Sequence, residues 1–417
     1  MISGIEALRF RCLRYVRQPT GRFAVLVGPN ASGKTTFLDS VAFLGRLVSG
    51  GVDAAVNEWT QSFDDLVWNR TGGSFELAIE ARIPEPIRPA LANPAFEIIR
   101  YEVRLGAEEG SGETSIQAER VRLLPAVNAP PQLRLEFPAP PLPPASFIQS
   151  KGAHGRTVVN KMHGGNDNFY SEVTASGKGW APAFKLGPRK SALGNLPEDE
   201  SKFPASTWLK RLLIEGVQPL VLNSRLIRLA SPPGKSRSFR PDGSNLPWVV
   251  AELERTEPDR LLRWIEHIRT ALPDIESIRT VERADDKHRY LILRYRGGLE
   301  VPSWMASDGT LRLLALTLPA YLHGLSGVYL IEEPENGIHP RAVETLFQSL
   351  SSVYGAQILV ATHSPVILAM VDLADVLCFA RSEEGATDVV CGPQHPALRD
   401  WRGESSLGLL FAGGVLG

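Results

Sequence analysis

Residues Gly28-Pro-Asn-Ala-Ser-Gly-Lys-Thr35 decide how this chain is read. They follow Phe23-Ala-Val-Leu-Val27, a short apolar run of the kind a buried parallel strand uses. After them, Phe37 to Leu47 carries Leu38, Val41, Ala42 and Leu44 at helical spacing, with Val48 continuing the same side. Strand, glycine-rich loop and helix in that order form the phosphate loop G-x-x-x-x-G-K-[ST]. Its physics is direct. Glycines let the backbone wrap closely around phosphates, and successive N–H groups at a helix N-terminus point at negative charge. In this reading Gly28, Pro29, Asn30, Ala31, Ser32, Gly33, Lys34, Thr35 and Thr36 line the anion site. Lys34 reaches the outer phosphates, and the Thr35 hydroxyl ligates Mg²⁺. A chance glycine-rich turn would not come with both flanking elements.

The rest of the chain sets bounds on that reading. The 417 residues are 43% hydrophobic and 22% charged, which excludes a disordered chain and leaves room for two or three domains. The formal net charge of -1 does not announce a nucleic-acid binder. Cys12, Cys378 and Cys391 are too far apart for a disulfide framework or a metal ribbon, so a cytoplasmic location is expected. The N-terminus lacks the apolar stretch of a signal peptide. The most apolar segment, Leu311 to Leu325, is interrupted by Arg312, Pro319 and His323, so no membrane span is expected.

Three zones are expected: an N-terminal lobe over 1–83, an insertion over 84–284, and a C-terminal lobe over 285–417. Ser74 to Ile83 alternates as a half-buried strand would. The insertion reads as less regular, with a proline-dense stretch from Ala129 to Pro144 that suits a stiff loop. Residues 151–240 hold 15 Lys and Arg against 6 Asp and Glu, while the whole chain is -1. That window is either a solvated loop surface or an electrostatic footprint for DNA or an acidic protein. No internal repeat and no sustained heptad pattern is apparent, so no long coiled coil is expected.

The C-terminal lobe reads as strand, helix, strand: Val328–Ile331, Arg341–Val353 and Gln357–Ala361. The first strand runs into Glu332 and Glu333, at the edge where ligands of parallel sheets bind. Neighbouring strand residues point to opposite sides, which would give the two carboxylates separate tasks. Glu332 would then stand near a metal and Glu333 near the attacked phosphate. A capping pair for the next helix is the plainer alternative. The second strand ends at His363, which would stand beside that carboxyl edge. Met305 to Arg312 contains Ser307, Asp308 and Gly309 ahead of the apolar helix Leu311–Leu318. This turn is either an anion site or simply a helix N-cap.

These four segments in this order resemble the ATP-binding-cassette ATPases of the SMC, RecF and OLD type. The likeness covers the two terminal zones, about half the chain. It implies an α/β fold: an ABC-type P-loop ATPase head with a long mixed α+β insertion between Walker A and the signature motif. It makes the first loop Walker A, Ser307-Asp-Gly-Thr310 the signature, Val328–Glu333 Walker B, Asn336–Pro340 the D-loop region and His363 the switch histidine. Lys34, Glu333 and His363 would be catalytic, and Thr35 and Glu332 would hold the metal. Ser307 lies 273 positions after Lys34 but only 25 before Glu332, and His363 lies 31 after Glu332. A long first gap is typical of the SMC-like branch. Glu332 stands where the family usually has Asp, and Ser-Asp-Gly replaces Ser-Gly-Gly. Gln61 is a poor match for the Q-loop, and the adenine contacts stay unassigned.

The resemblance further implies ATP and Mg²⁺ as cofactors and a head-to-head homodimer, in which Ser307 of one copy meets the γ-phosphate held by Lys34 of the other. It implies DNA-linked work, phage defence in particular, through a separate nuclease-like effector. Only 54 residues follow His363, too few for a Toprim nuclease, and Asp372 and Asp375 do not form its D-x-D. Three other readings remain. One is an ATP-gated scaffold that binds a protein without DNA. Another is a transporter cassette, which the long insertion opposes. The last is an intrinsic nuclease at His154, His163 and Asp167, whose spacing is loose.

Overall fold

The computed structural model describes residues 1–108, 110, 112–126, 134–148, 155–174, 182–234, 236, 238–398 and 406–416. The chain divides into two compact units. The first comprises Met1–Val217, Leu373–Glu404 and Gly414–Gly417; the second comprises Gln218–Asp372 and Ser405–Gly413. The stretch 84–284 therefore contributes to both.

In the first unit, strands β1 (Ile2–Phe10), β2 (Leu13–Pro19) and β3 (Phe23–Val27) lead into the long helix α1 (Lys34–Trp59). Then come β4 (Ser74–Arg82), β5 (Phe96–Ala107), β6 (Thr114–Pro125), β7 (Arg156–Met162), β8 (Asp167–Phe169), β9 (Ala183–Phe184) and helix α2 (Pro204–Arg211). Eight of these strands form one sheet in the order β2-β1-β4-β5-β6-β7-β8-β9, antiparallel throughout. Phe10, Phe43 and Phe75 meet with ring centroids 5.0–5.7 Å apart, so α1 is joined to the sheet by aromatic packing. The segment Val376–Arg381 returns to pair parallel with β3, and Thr387–Cys391 pairs antiparallel with it. All five residues of β3 are buried, as its apolar run predicts.

Two expectations need correction here. The middle stretch is more regular than its composition suggests, because β5 and β6 are twelve-residue strands paired along their length. And β4 is not half-exposed. Of its polar residues only Arg82 is exposed, and Glu76, 2% exposed, binds Arg104 and accepts the Phe147 N–H at 2.9 Å. A central strand can carry charge when each carboxylate finds a donor. The Arg100 guanidinium likewise donates to Glu6 and Glu80 on other strands of the sheet and to Glu102 on its own strand, at 2.6–2.8 Å. The described part of the proline-dense stretch, 134–144, lies in no helix or strand, in line with its composition.

In the second unit β10 (Val217–Leu220, whose first residue closes the first unit) precedes helices α3 (Ser224–Arg228), α4 (Leu246–Thr256) and α5 (Pro258–Ala271). A three-stranded antiparallel sheet follows, β11 (Ile275–Glu282), β12 (Arg289–Tyr295) and β13 (Glu300–Pro302). The sequence continues with α6 (Asp308–Thr317), β14 (Val328–Glu332), α7 (Pro340–Ser351), β15 (Gln357–Ala361), α8 (Pro365–Leu368) and α9 (Leu407–Ala412). β14 and β15 are parallel neighbours, with Glu332 opposite Ala361. α7 is the crossover between them, which bears out the strand-helix-strand reading. Among the described residues no helix is long and apolar enough to cross a membrane, and the three cysteines are free thiols.

Candidate active site

The phosphate-loop residues lie in the first unit, between the end of β3 and the start of α1. Two glycines there have no substitute. Gly28 has φ 151°, and a Cβ on it would sit 2.2 Å from the Phe379 carbonyl oxygen. Gly33 has φ 102°, and its Cβ would sit 2.3 Å from the Thr387 hydroxyl. So Val376–Arg381 and Thr387–Cys391 pack directly behind the loop, and the Thr387 hydroxyl donates to the Ser32 carbonyl at 2.9 Å. Ala31 also holds a positive φ of 61°, so the loop turns sharply between the two glycines. Gly33 is the N-cap of α1 and offers no side-chain cap. A helix start of this kind, without a side-chain cap, is where phosphate loops place an anion.

Lys34 is buried, and its ammonium donates to the carbonyls of Gly28 and Pro29, each at 2.9 Å. Ser32 is fully buried, and its hydroxyl oxygen makes no hydrogen bond among the described residues. Thr35 is exposed and Thr36 buried, while Pro29 and Asn30 form the exposed lip. A phosphate chain would give acceptors to the Ser32 hydroxyl and the Lys34 ammonium together. The residues therefore fit ATP, and the exposed Thr35 hydroxyl fits an ion bound with it. Gln61 lies beyond Trp59, past the end of α1, whereas Lys34 opens that helix.

The remaining predicted residues lie in the second unit. Glu332 closes β14 and is exposed. Glu333 has already left the strand: its φ is 43°, in the left-handed region, while its N–H still donates to the Ala361 carbonyl at 2.8 Å. Strand alternation therefore does not set the direction of Glu333. A left-handed turn does, at a backbone cost on the order of 1 kcal/mol, and such strain clusters at working sites. The His363 Nε2 stands 3.9 Å from Glu333 Oε1, so neighbouring strands do bring these two together. Asn336 donates its amide to the other Glu333 oxygen.

Ser307 caps α6. Its oxygen accepts the Thr310 N–H at 3.1 Å and its hydroxyl donates to Thr310 Oγ1 at 2.7 Å. The plain N-cap description thus holds for Ser307 as it stands, and the side chain is exposed. Asp308 and Gly309 form the first turn behind it. Of the nuclease trio, Asp167 is spent on contacts within the fold. Asp167 is 1% exposed, accepts from the Lys161 ammonium at 2.8 Å and caps the Leu186 N–H at 2.7 Å. His154 lies outside the described residues. Among them, no group of three or more His, Cys, Asp and Glu could hold a metal.

Sequence reasoning misses Glu335. In sequence it is only the end of the acidic run, yet its Oε1 accepts the Thr362 hydroxyl at 2.6 Å and the His363 N–H at 3.1 Å. Its position two residues after Glu333 is the available signal. The backing role of Thr387 is also invisible, since it stands 355 residues from its partner Ser32.

With this geometry in view, comparison with known proteins places the chain. Residues 23–123 and 165–369 match the family described as "AAA domain, putative AbiEii toxin, Type IV TA system", and the chain belongs to that family. Its fold is the mixed α/β fold of the SMC head, an ABC-type ATPase head, without a coiled coil among the described residues. The crystal structure of the SMC head bound to the C-winged helix domain of ScpA is 14% identical with a TM-score of 0.53, over 93% of this chain and 97% of that one. The SMC head domain from Thermotoga maritima is 12% identical with a TM-score of 0.46, over 94% and 98%. No curated protein matches this sequence.

Proposed function

We propose that this chain is a cytoplasmic ATP-binding and ATP-hydrolysing switch whose two copies close head to head over shared nucleotide. The observation that carries the reading is the loop itself: two glycines whose backbone and surroundings bar a side chain, a helix N-terminus without a side-chain cap, and a buried lysine and serine within the same loop. The backbone of Gly28–Thr36 wraps the triphosphate, and Lys34 neutralises its outer charge. Thr35 and Glu332 are the residues that would hold Mg²⁺, which when bound screens charge developing on the phosphates. Glu333 orients and polarises the attacking water, and His363, 3.9 Å from it, bears on the terminal phosphate. In the dimer Ser307, Asp308 and Gly309 of each copy serve the other's nucleotide. Ser307 Oγ would then exchange its Thr310 partners for phosphate.

The family description ties the chain to toxin systems, and this supports a role in defence with a separate nuclease-like effector. The alternative is an ATP-gated scaffold that binds an acidic protein. The ScpA-bound SMC head, whose partner is a protein domain, favours keeping it. The test is Glu333→Gln. It should keep ATP affinity, lose turnover by at least about a hundredfold, and accumulate as a dimer with ATP by light scattering. A monomer hydrolysing ATP at the wild-type rate would refute both the residue's role and the switch.

A further inference from the structure

The segment Glu333–Pro340 and the turn Ala361–Pro365 are joined by one carboxylate. Glu335 Oε1 accepts two donors from the turn, the Thr362 hydroxyl at 2.6 Å and the His363 N–H at 3.1 Å. Thr362 is fully buried, and its oxygen accepts the Ser364 N–H at 2.9 Å. The hydroxyl thus accepts from Ser364 and donates its one proton to Glu335. Ser364 in turn caps α8 by accepting the Ile367 N–H at 3.4 Å. The chain of bonds thus runs from Glu335 through Thr362 and Ser364 into the next helix, with His363 held in its middle.

The other oxygen, Glu335 Oε2, is buried and makes no hydrogen bond among the described residues. The side-chain hydrogen bonds of Glu335 among the described residues are therefore the two made by Oε1. Those bonds fix the backbone that carries His363, opposite a Glu333 whose own N–H is tied to Ala361 at 2.8 Å. Both ends of the 3.9 Å approach between His363 and Glu333 are thereby set by the same two segments.

We propose that Glu335 is a positioning residue, an acceptor that holds the Thr362–His363 turn so that the His363 ring faces Glu333. The proposal rests on the hydrolytic reading for its kinetic arm only. Charge is not what the role needs, since both bonds ask for an oxygen acceptor that a glutamine amide also supplies. The test compares Glu335→Gln, Glu335→Ala and Thr362→Val in the full chain. Two measurements are made: steady-state ATP hydrolysis, and the His363 ring resonances by NMR without nucleotide. Glu335→Gln should keep turnover and leave the ring resonances in place. Glu335→Ala should shift the resonances and lower kcat by about 10–100-fold at unchanged KM, as loss of an orienting group does. Thr362→Val should move the same resonances in part, and adding it to Glu335→Ala should do little more. Glutamine behaving like alanine would overturn the proposal, because charge would then be the requirement. So would unmoved His363 resonances in Glu335→Ala. Should Glu335→Ala not fold, Glu335→Gln and Thr362→Val decide by the same readouts. A wild-type chain without ATPase activity would refute the proposed function, while the NMR arm would still decide the role of Glu335.

Discussion

Gly309, in the first turn of α6, faces the carbonyl of Gly337 so closely that a Cβ on it would sit 2.4 Å from that oxygen. The helix capped by Ser307 is thereby seated on the loop that follows Glu333. Gly309 itself needs no left-handed backbone, so an alanine there would be opposed by this contact alone. Gly309→Ala should lower stability by about 1–3 kcal/mol and disturb the loop. Its melting temperature and the Asn336 amide resonance would report this. A variant with the wild-type melt and spectrum would show that the loop yields freely.

Gly33 is constrained twice, by φ and by Thr387. Gly33→Ala should weaken ATP binding by at least about tenfold, since the first N–H groups of α1 would be displaced. Thr387→Ser, which removes the methyl 2.9 Å from that added Cβ, should not restore it, because the backbone strain remains. Calorimetric titration with ATP would check both, and full rescue by Thr387→Ser would place the whole effect in the contact.

Glu119 is completely buried and accepts from the Ser191 hydroxyl, the Ala192 and Leu193 N–H groups and the Tyr101 hydroxyl, at 2.6–3.0 Å. Burial raises its carboxyl above the ordinary range, with those donors working against the shift. Removing it orphans all four. Glu119→Ala should cost about 3–5 kcal/mol in urea unfolding, and a loss below about 1 kcal/mol would mean that the 191–193 turn finds other partners.

Glu172 lies beneath the start of α2 and accepts the Ala205 and Ser206 N–H groups at 2.6 and 2.8 Å. Burial pushes its carboxyl up to about 7, against the pull of those bonds and of Arg156. An acid with a raised folded pKa gives its full stability below the ordinary 4.5 and loses it as pH rises through about 7. The wild type should therefore lose on the order of 3 kcal/mol between pH 4.5 and 7.5 from this group. Glu172→Gln, always neutral, should lack that slope. Denaturation midpoints across the range test it, and equal slopes in both proteins would refute the assignment.

Lys185, Arg189 and Lys190 are exposed, and Arg189 is 3.5 Å from Asp53. Elsewhere in the basic window, charge is spent within the chain: Lys161 binds Asp167, Lys202 binds Asp199 and Arg211 binds Glu200. If this surface grips DNA, replacing the three cations by glutamine should lower affinity and flatten its salt dependence by roughly one unit of slope for each phosphate left without its cation. ATP affinity should not change. A salt slope that stays the same would return these residues to plain surface.

Local signals make the fold legible where one unit of structure carries its own pattern. The apolar run Phe23–Val27 and the helix behind it, or Val328–Ile331 and its parallel neighbour, need no distant partner to be recognised. β4 to β6 are harder, because their alternating Glu and Arg look like solvent-facing positions. Only pairs such as Glu80 with Arg100, brought together by strand register, allow those charges to be covered. At the candidate site the chemistry-bearing residues can be named from sequence, but their supports cannot. Glu335 and Thr387 act on groups 27 or more residues away, and only the closeness of Glu335 to Glu333 gives a local sign of it. The direction of Glu333 is hidden for a similar reason: the strand ends at Glu332, and the left-handed turn at Glu333 leaves no mark in the apolar run before it.

Helix α1 is not one uninterrupted rod. At Gly51, φ 78° and ψ -173° break it, and the Val52 N–H passes to the Arg189 carbonyl at 3.0 Å. The rod that begins at the phosphate loop is thus spliced to the strip bearing the exposed cations, with a methyl at Gly51 barred by 2.7 Å from that same carbonyl. The residue that carries one of those cations is therefore bonded through its own backbone to the break in α1, with no side chain between them.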